Sequence, residues 1–212
     1  REETDTLSAS QIMYPLMQAT DIFMLGANIT QLGMDQRKVN MLAREVADEL
    51  DFVKPVVVSH HMLLGLLPPG EVREGESTVD RSIRMKMSKS NPDSAIFMTD
   101  SKEEVERKIK QAWCPEGIVE ENPILEYCKY IVFEKEEKML VERPDKYGGD
   151  IEYNSYQELE KDYAEKKLFP LDLKNSLAKY INKFLEPVRN HFENDERARS
   201  LKDQVDNFEI TK

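Results

Sequence analysis

The sequence predicts an α/β chain, part of a parallel-sheet domain followed by a mainly α-helical region. Three observations carry this. A short, uninterrupted β-branched run at residues 55–59, PVVVS, reads as a buried parallel strand. Amphipathic helical patterns flank it, with Gly26 marking a turn. From about residue 99 the periodicity is almost wholly helical and ends in one long apolar stripe.

Taken in order, Met13, Leu16, Met17 and Thr20 have helical spacing, and Gly26 closes that pattern. A turn follows, then a second helix from near Met34 with Val39, Leu42, Ala43 and Val46 on one face. One strong strand is too little for a sheet, so part of the sheet is expected to lie outside this chain. The start at Arg1 rather than Met agrees with a fragment or processed product. Residues 66–85, LLPPGEVREGESTVDRSIRM, are rich in Pro, Gly and charge and read as a long mobile loop. SKEEVERKIKQAW is a charged helix capped by Ser101 or Asp100, with glutamates in its first turn. Helical patterning from Pro115 is interrupted by YIVF at 130–133 and by the turn PDKYGGD. The last strong helix starts near Asp172, with Leu173, Leu177, Ile181, Phe184, Leu185 and Val188 as its stripe. The expected partition is 1–98 and 99–212.

Composition excludes several classes. With 40% hydrophobic and 33% charged residues in 212, the chain is globular rather than fibrous. No apolar run approaches the roughly 20 residues that span a bilayer. The polar, acidic start REETDTLSAS is unlike a secretory or mitochondrial targeting segment, so cytoplasm is the expected compartment. Cys114 and Cys128 form no CxxC, which argues against a disulfide framework or a zinc ribbon. The pair His60–His61 lacks the carboxylate spacing of a metal site, and no resident metal is predicted. Thirty basic against 41 acidic residues leave a net charge of −11, wrong for a non-specific nucleic-acid binder. Specific RNA recognition through a local basic patch stays open.

Two segments carry chemistry. Residues 86–90 spell KMSKS, a match with a chance occurrence on the order of 10⁻⁴ in a chain of this length. Lys86 and Lys89, with the Ser88 hydroxyl between them, can set ammonium groups and a donor onto a polyphosphate. The bland alternative is an exposed lysine–serine turn. Farther upstream, Tyr14, Gln18, Asp21 and Leu25 share one helical face at i, i+4, i+7 and i+11. Buried polar groups need partners, and a polar ligand would supply them on such a face.

Both segments have counterparts in a known family. KMSKS is the loop motif of class I aminoacyl-tRNA synthetases, and residues 14–38, YPLMQATDIFMLGANITQLGMDQRK, resemble the tyrosyl-tRNA synthetases of archaea and eukaryotes. The resemblance runs on through MLAREV, NPDSAIFMTDS, WCPEGIVEENPILEYCKY, RPDKYGGDIEYNSYQELEKDY and FPLDLKNSLAKY. It implies the second half of a Rossmann-type catalytic domain over 1–98, and a helical anticodon-binding domain over 99–212. Residues matching Tyr14, Gln18 and Gln36 hold the tyrosine ammonium in that family, and the one matching Asp21 accepts from its phenol. Asp35 matches a position near the adenylate ribose, and Arg37 and Lys38 match contacts to the tRNA acceptor end. Lys86, Ser88 and Lys89 would stabilise the phosphates of ATP bound with Mg²⁺. Tyr147, Phe169 and Asp172 match the anticodon reader. The bland alternatives are a solvated helix face for Arg37–Lys38, a helix N-cap for Asp172 and a hydrophobic staple for Phe169. The family's His-Ile-Gly-His sequence does not occur in this chain. The resemblance therefore implies a C-terminal part of a tyrosine-tRNA ligase, inactive alone, whose full-length parent is a homodimer. The rivals are a non-catalytic RNA-binding or regulatory fragment and a tryptophan-specific relative.

Overall fold

The computed structural model describes residues 7–72, 74–88 and 91–208. Two compact units emerge, one from residues 1–62 and 72–84, the other from 63–71 and 85–212.

In the first unit, α1 (Ala9–Met24) starts at a Ser8 cap. The Ser8 hydroxyl accepts from the Gln11 amide, and the Gln11 side chain accepts from the Ser8 amide. Gly26, at φ +62°, turns the chain out of the helix where a Cβ would be strained. Residues expected to form only a turn then make a strand, β1 (Ile29–Gly33), followed by a 3₁₀ turn (Met34–Gln36) and α2 (Arg37–Val46). β2 (Val56–His60) pairs with β1 in parallel, Ile29 opposite Val56 and Gly33 opposite His60. Polar Thr30 and Gln31 break up the apolar run of β1, which hides it from periodicity. The unit's core is small: Ala19 and Ile22 of α1 meet Val39 and Ala43 of α2. Phe23 stacks on Phe52 with ring centroids 4.7 Å apart. Asn40, wholly buried on α2, has no hydrogen-bond partner for either side-chain polar atom among the described residues.

The segment 66–85 is not a structureless loop. It carries α3 (Thr78–Met85), and Glu76, with its side chain 4% exposed, takes a two-pronged bond from Arg84 at 2.8 and 3.1 Å.

The second unit is helical and fully cored. α4 (Lys102–Gln111) has Ser101 as its N-cap, one of the two caps the sequence offers, while Asp100 bonds Lys108 instead. α5 (Pro123–Tyr127) runs into a π-helical turn (Cys128–Val132) and α6 (Phe133–Lys135), so YIVF is helical rather than extended. A short antiparallel hairpin follows, β3 (Met139–Val141) and β4 (Ile151–Tyr153), then α7 (Tyr156–Ala164), α8 (Pro170–Asn194) and α9 (Glu196–Asp206). Val105, Ile109, Tyr127, Val132, Met139, Val141, Leu159, Leu173 and Leu177 are completely or almost completely buried in one cluster. Lys108, also buried, bonds Asp100 at 2.7 Å and the Ala95 carbonyl at 2.9 Å and lies over the Phe97 ring. Burial pushes the thiols of Cys114 and Cys128 up, which keeps both protonated and unreactive at neutral pH.

Candidate functional site

Three groups of predicted residues are placed by these elements. The first lies in the sheet unit. Tyr14, Gln18 and Asp21 share a face of α1 that flanks its buried side, with Tyr14 60% exposed, Asp21 exposed and Gln18 half-buried. Gln36 approaches from the 3₁₀ turn after β1, and the Gln18 side chain donates to it at 2.8 Å. Two residues expected to hold the same ammonium group are thus joined across 18 positions of sequence. Asp35 and Gln36 follow the carboxyl end of β1, the edge at which open parallel sheets bind ligands. Gly33 lies close beneath this turn, where a Cβ would fall 2.7 Å from Asp35 Oδ1 and 3.2 Å from Met62 and would push those side chains aside. Arg37 and Lys38 are exposed in the first turn of α2, which holds no acid. Cations there oppose the helix dipole, at about 0.3–1 kcal/mol each.

The second group is the KMSKS segment, in the helical unit. Lys86 bridges Leu64 in antiparallel fashion, and the Gly65 amide donates to the Met85 carbonyl at 2.7 Å. A Cβ on Gly65 would lie 3.0 Å from that carbonyl, so this approach demands glycine. Ser88 is tethered by Ser94, whose buried hydroxyl accepts from the Ser88 amide at 3.0 Å. The Tyr127 phenol donates to Met87 Sδ at 3.6 Å. Both Lys86 and Ser88 are exposed. Lys89 lies outside the described residues. Sequence reasoning missed Ser94, because nothing in NPDSAIF distinguishes a hydroxyl that braces a backbone.

The third group meets in one cleft of about 790 Å³. Tyr147 comes from the β3–β4 connection, Phe169 and Asp172 from the start of α8, and all three line the cleft. A 3₁₀ turn (Asp145–Tyr147) sets Tyr147, and Gly148 and Gly149 with φ of +100° and +71° turn the chain back toward β4. Tyr147 and Phe169 are 62% and 56% exposed, so two aromatic faces are open to solvent. Arg143, Lys146, Lys166 and Lys167 join them, and with Glu142 and Asp150 also in the lining the cations are interleaved with carboxylates. Lys146 lies 4.7 Å from the Tyr147 ring centroid. Lys166 adopts φ +59°, a left-handed conformation costing roughly 1–2 kcal/mol for a residue with a Cβ. The N-cap expectation for Asp172 is corrected: α8 begins at Pro170, Phe169 occupies the cap position with no side-chain bond, and Asp172 lies in the first turn. Phe169 is therefore not the staple residue preceding a cap. Among the described residues no group of three or more His, Cys, Asp or Glu could hold a metal ion. No helix of the described residues is long and apolar enough to cross a membrane.

Comparison with known proteins identifies the family. A family model described as tRNA synthetases class I (W and Y) matches residues 1–186. "Tyrosine--tRNA ligase 1, cytoplasmic" of Arabidopsis thaliana is 48% identical over 100% of this chain and 52% of its own. The tyrosine--tRNA ligase of Thermococcus sibiricus is 44% identical over 91% of this chain and 55% of its own. Among solved structures, the tyrosyl-tRNA synthetase of Pyrococcus horikoshii complexed with L-tyrosine superposes with a TM-score of 0.83 at 41% identity, covering 95% of this chain and 57% of that one. The chain spans about half the length of the curated relatives it matches. With residues 1–186 matched, an α/β sheet unit and a helical unit, the chain belongs to the class I tRNA synthetase family that comprises the tryptophan and tyrosine enzymes.

Proposed function

We propose that this chain is the C-terminal part of a tyrosine-tRNA ligase, supplying one wall of the tyrosine site, the KMSKS loop and the anticodon reader. The observation that carries the reading is the cleft that gathers Tyr147, Phe169 and Asp172 beside four cations. Aromatic faces stack on unpaired bases, a carboxylate accepts from a guanine edge, and the cations neutralise phosphates. Residues 1–98 act as the second half of the Rossmann-type catalytic domain and 99–212 as the anticodon-binding domain. The tyrosine carboxylate attacks the α-phosphate of ATP in line, and the aminoacyl group then passes to the terminal adenosine of tRNA(Tyr). Tyr14, Gln18 and Gln36 hold the ammonium and Asp21 accepts from the phenol. Asp35 meets the ribose, Lys86, Ser88 and Lys89 stabilise the separating pyrophosphate, and Arg37 and Lys38 meet the acceptor end. Mg²⁺ enters with ATP as part of the substrate. Positioning and charge stabilisation carry the rate, with no covalent enzyme intermediate. The complete ligase works as a cytoplasmic homodimer. Tyrosine rather than tryptophan is supported by the names of the relatives at 44–48% identity.

Two experiments test this. Asp172→Asn keeps the side-chain shape but removes the charged acceptor. Since Asp172 is not the cap, the melting temperature should stay within a few degrees. Preference for tRNA with guanine at the first anticodon position should fall by the equivalent of about 1–3 kcal/mol. Unchanged preference in this folded variant, measured by binding titration, counts against the anticodon assignment. For the ligase as a whole, a chimera carries the N-terminal half of the Thermococcus sibiricus enzyme ahead of this chain. It should show tyrosine-dependent ATP–pyrophosphate exchange. Asp21→Ala in it should erode discrimination against phenylalanine by at least ~10-fold, because a hydrogen-bonding acceptor enclosed by the completed pocket is what rejects the analogue lacking a hydroxyl. An unaltered ratio of specificity constants would remove Asp21 from the pocket.

A further inference from the structure

Arg143 reaches both segments that carry the aromatic side chains of the cleft. Its amide donates to Asp150 Oδ1 at 2.9 Å, its Nε to the Gly149 carbonyl at 2.8 Å and its Nη1 to the Lys167 carbonyl at 3.2 Å. Gly149 closes the turn that holds Tyr147, and Lys167 stands two residues before Phe169. A Cβ on Gly148 would lie only 3.2 Å from Arg143 Nη2, so the guanidinium runs close against that turn. Two successive glycines at positive φ leave such a turn with high conformational entropy unless something holds it. A planar fork with five donors in fixed directions can serve two carbonyls at once. An ammonium on a flexible stem is a point charge and lacks that geometry.

We infer that Arg143 is a positioning residue for base reading: its fork holds the Tyr147 turn against the connection leading to Phe169 and so sets the gap between the two aromatic side chains. This rests on the reading of the cleft as an anticodon site. With the fork in place, the slot for an unpaired base is pre-formed, and the ordering it needs is complete before the RNA arrives.

The test uses the 212-residue chain and two synthetic anticodon stem-loop RNAs, one with guanine and one with adenine at the first anticodon position. Binding is titrated by fluorescence for the unsubstituted chain, Arg143→Lys and Tyr147→Ala, each with a thermal melt. The unsubstituted chain should prefer the guanine RNA by about tenfold or more, the span of a good base contact. Arg143→Lys keeps the charge, so its affinity for the adenine RNA should stay within about twofold. Its preference for guanine should collapse to about twofold or less, as should that of Tyr147→Ala, because a base no longer gripped between the aromatic side chains is not held against Asp172. Full preference in Arg143→Lys alongside its loss in Tyr147→Ala overturns the inference and leaves the site standing. Preference kept in both, or absent from the unsubstituted chain, overturns the site reading and the inference with it. Where Arg143→Lys does not fold, Arg143→Gln, with a planar amide and a single donating group, is read by the same outcomes.

Discussion

The two units of this chain differ in how much of their apolar surface they use. In the helical unit, α4, α8, the hairpin and the segment after Pro123 close around a shared buried cluster, although Ile118, Tyr147, Phe169, Leu201 and Phe208 stay exposed at its surface. In the sheet unit, Ile12, Met13, Leu16, Met17, Met24, Leu25, Ile29, Val56 and Val58 are all exposed. Parallel strands ordinarily occur with both faces covered, yet β1 and β2 form a two-stranded parallel sheet with apolar residues open to solvent. On the reading proposed above, the rest of the catalytic domain covers these residues. The lesson is that self-sufficiency is a property of units: one is cored by its own residues, the other leaves much of its apolar surface open.

The sharpest way to break this contrast is a pair of truncations. Leu177→Ala in the helical core should cost about 2–5 kcal/mol, because the site cannot collapse around the missing atoms. Leu16→Ala on the open face of α1 should stay within about 0.5 kcal/mol. Urea denaturation followed by circular dichroism measures both. Equal losses would mean that the open face is already buried in solution, for instance by self-association. A smaller effect sharpens the comparison from inside the sheet unit. Asn40→Leu removes two buried polar atoms without partners and should stabilise the chain by roughly 1 kcal/mol. Destabilisation instead would show that the Asn40 amide is bonded in solution to something outside the described residues.

Legibility from sequence follows the same divide. The stripe from Leu173 to Leu185 reads directly as one face of α8, because everything it packs against lies within the same unit. The Ser101 cap is equally plain. β1 is not legible, since its strand character comes from pairing with β2 far along the chain, as between Ile29 and Val56. β3 and β4, three residues each, are too short for an alternating pattern. Of the candidate sites, Tyr147, Phe169 and Asp172 are visible through family resemblance, which needs only side-chain identity. Arg143 escapes both methods because its partners are main-chain carbonyls, and these have no letter in the sequence. The start of α8 misleads for a related reason: Asp172 has the right chemistry for a cap, but Pro170 fixes φ two positions earlier and begins the helix there.

The two cations that open α2 have a consequence for how this protein meets ionic strength. Salt screens exposed charges beyond a Debye length of about 10 Å at 0.1 M. The helical unit has surface pairs of opposite sign, Lys138–Glu152, Lys179–Glu142 and Lys183–Glu136, and screening weakens each of them. At the start of α2 the exposed charges are alike and face the positive end of the helix, so screening relieves a repulsion there. The same added salt therefore loosens the surface of one unit and steadies a helix in the other. A polyanion laid along Arg37 and Lys38 acts on α2 as salt does, but locally and at far lower concentration.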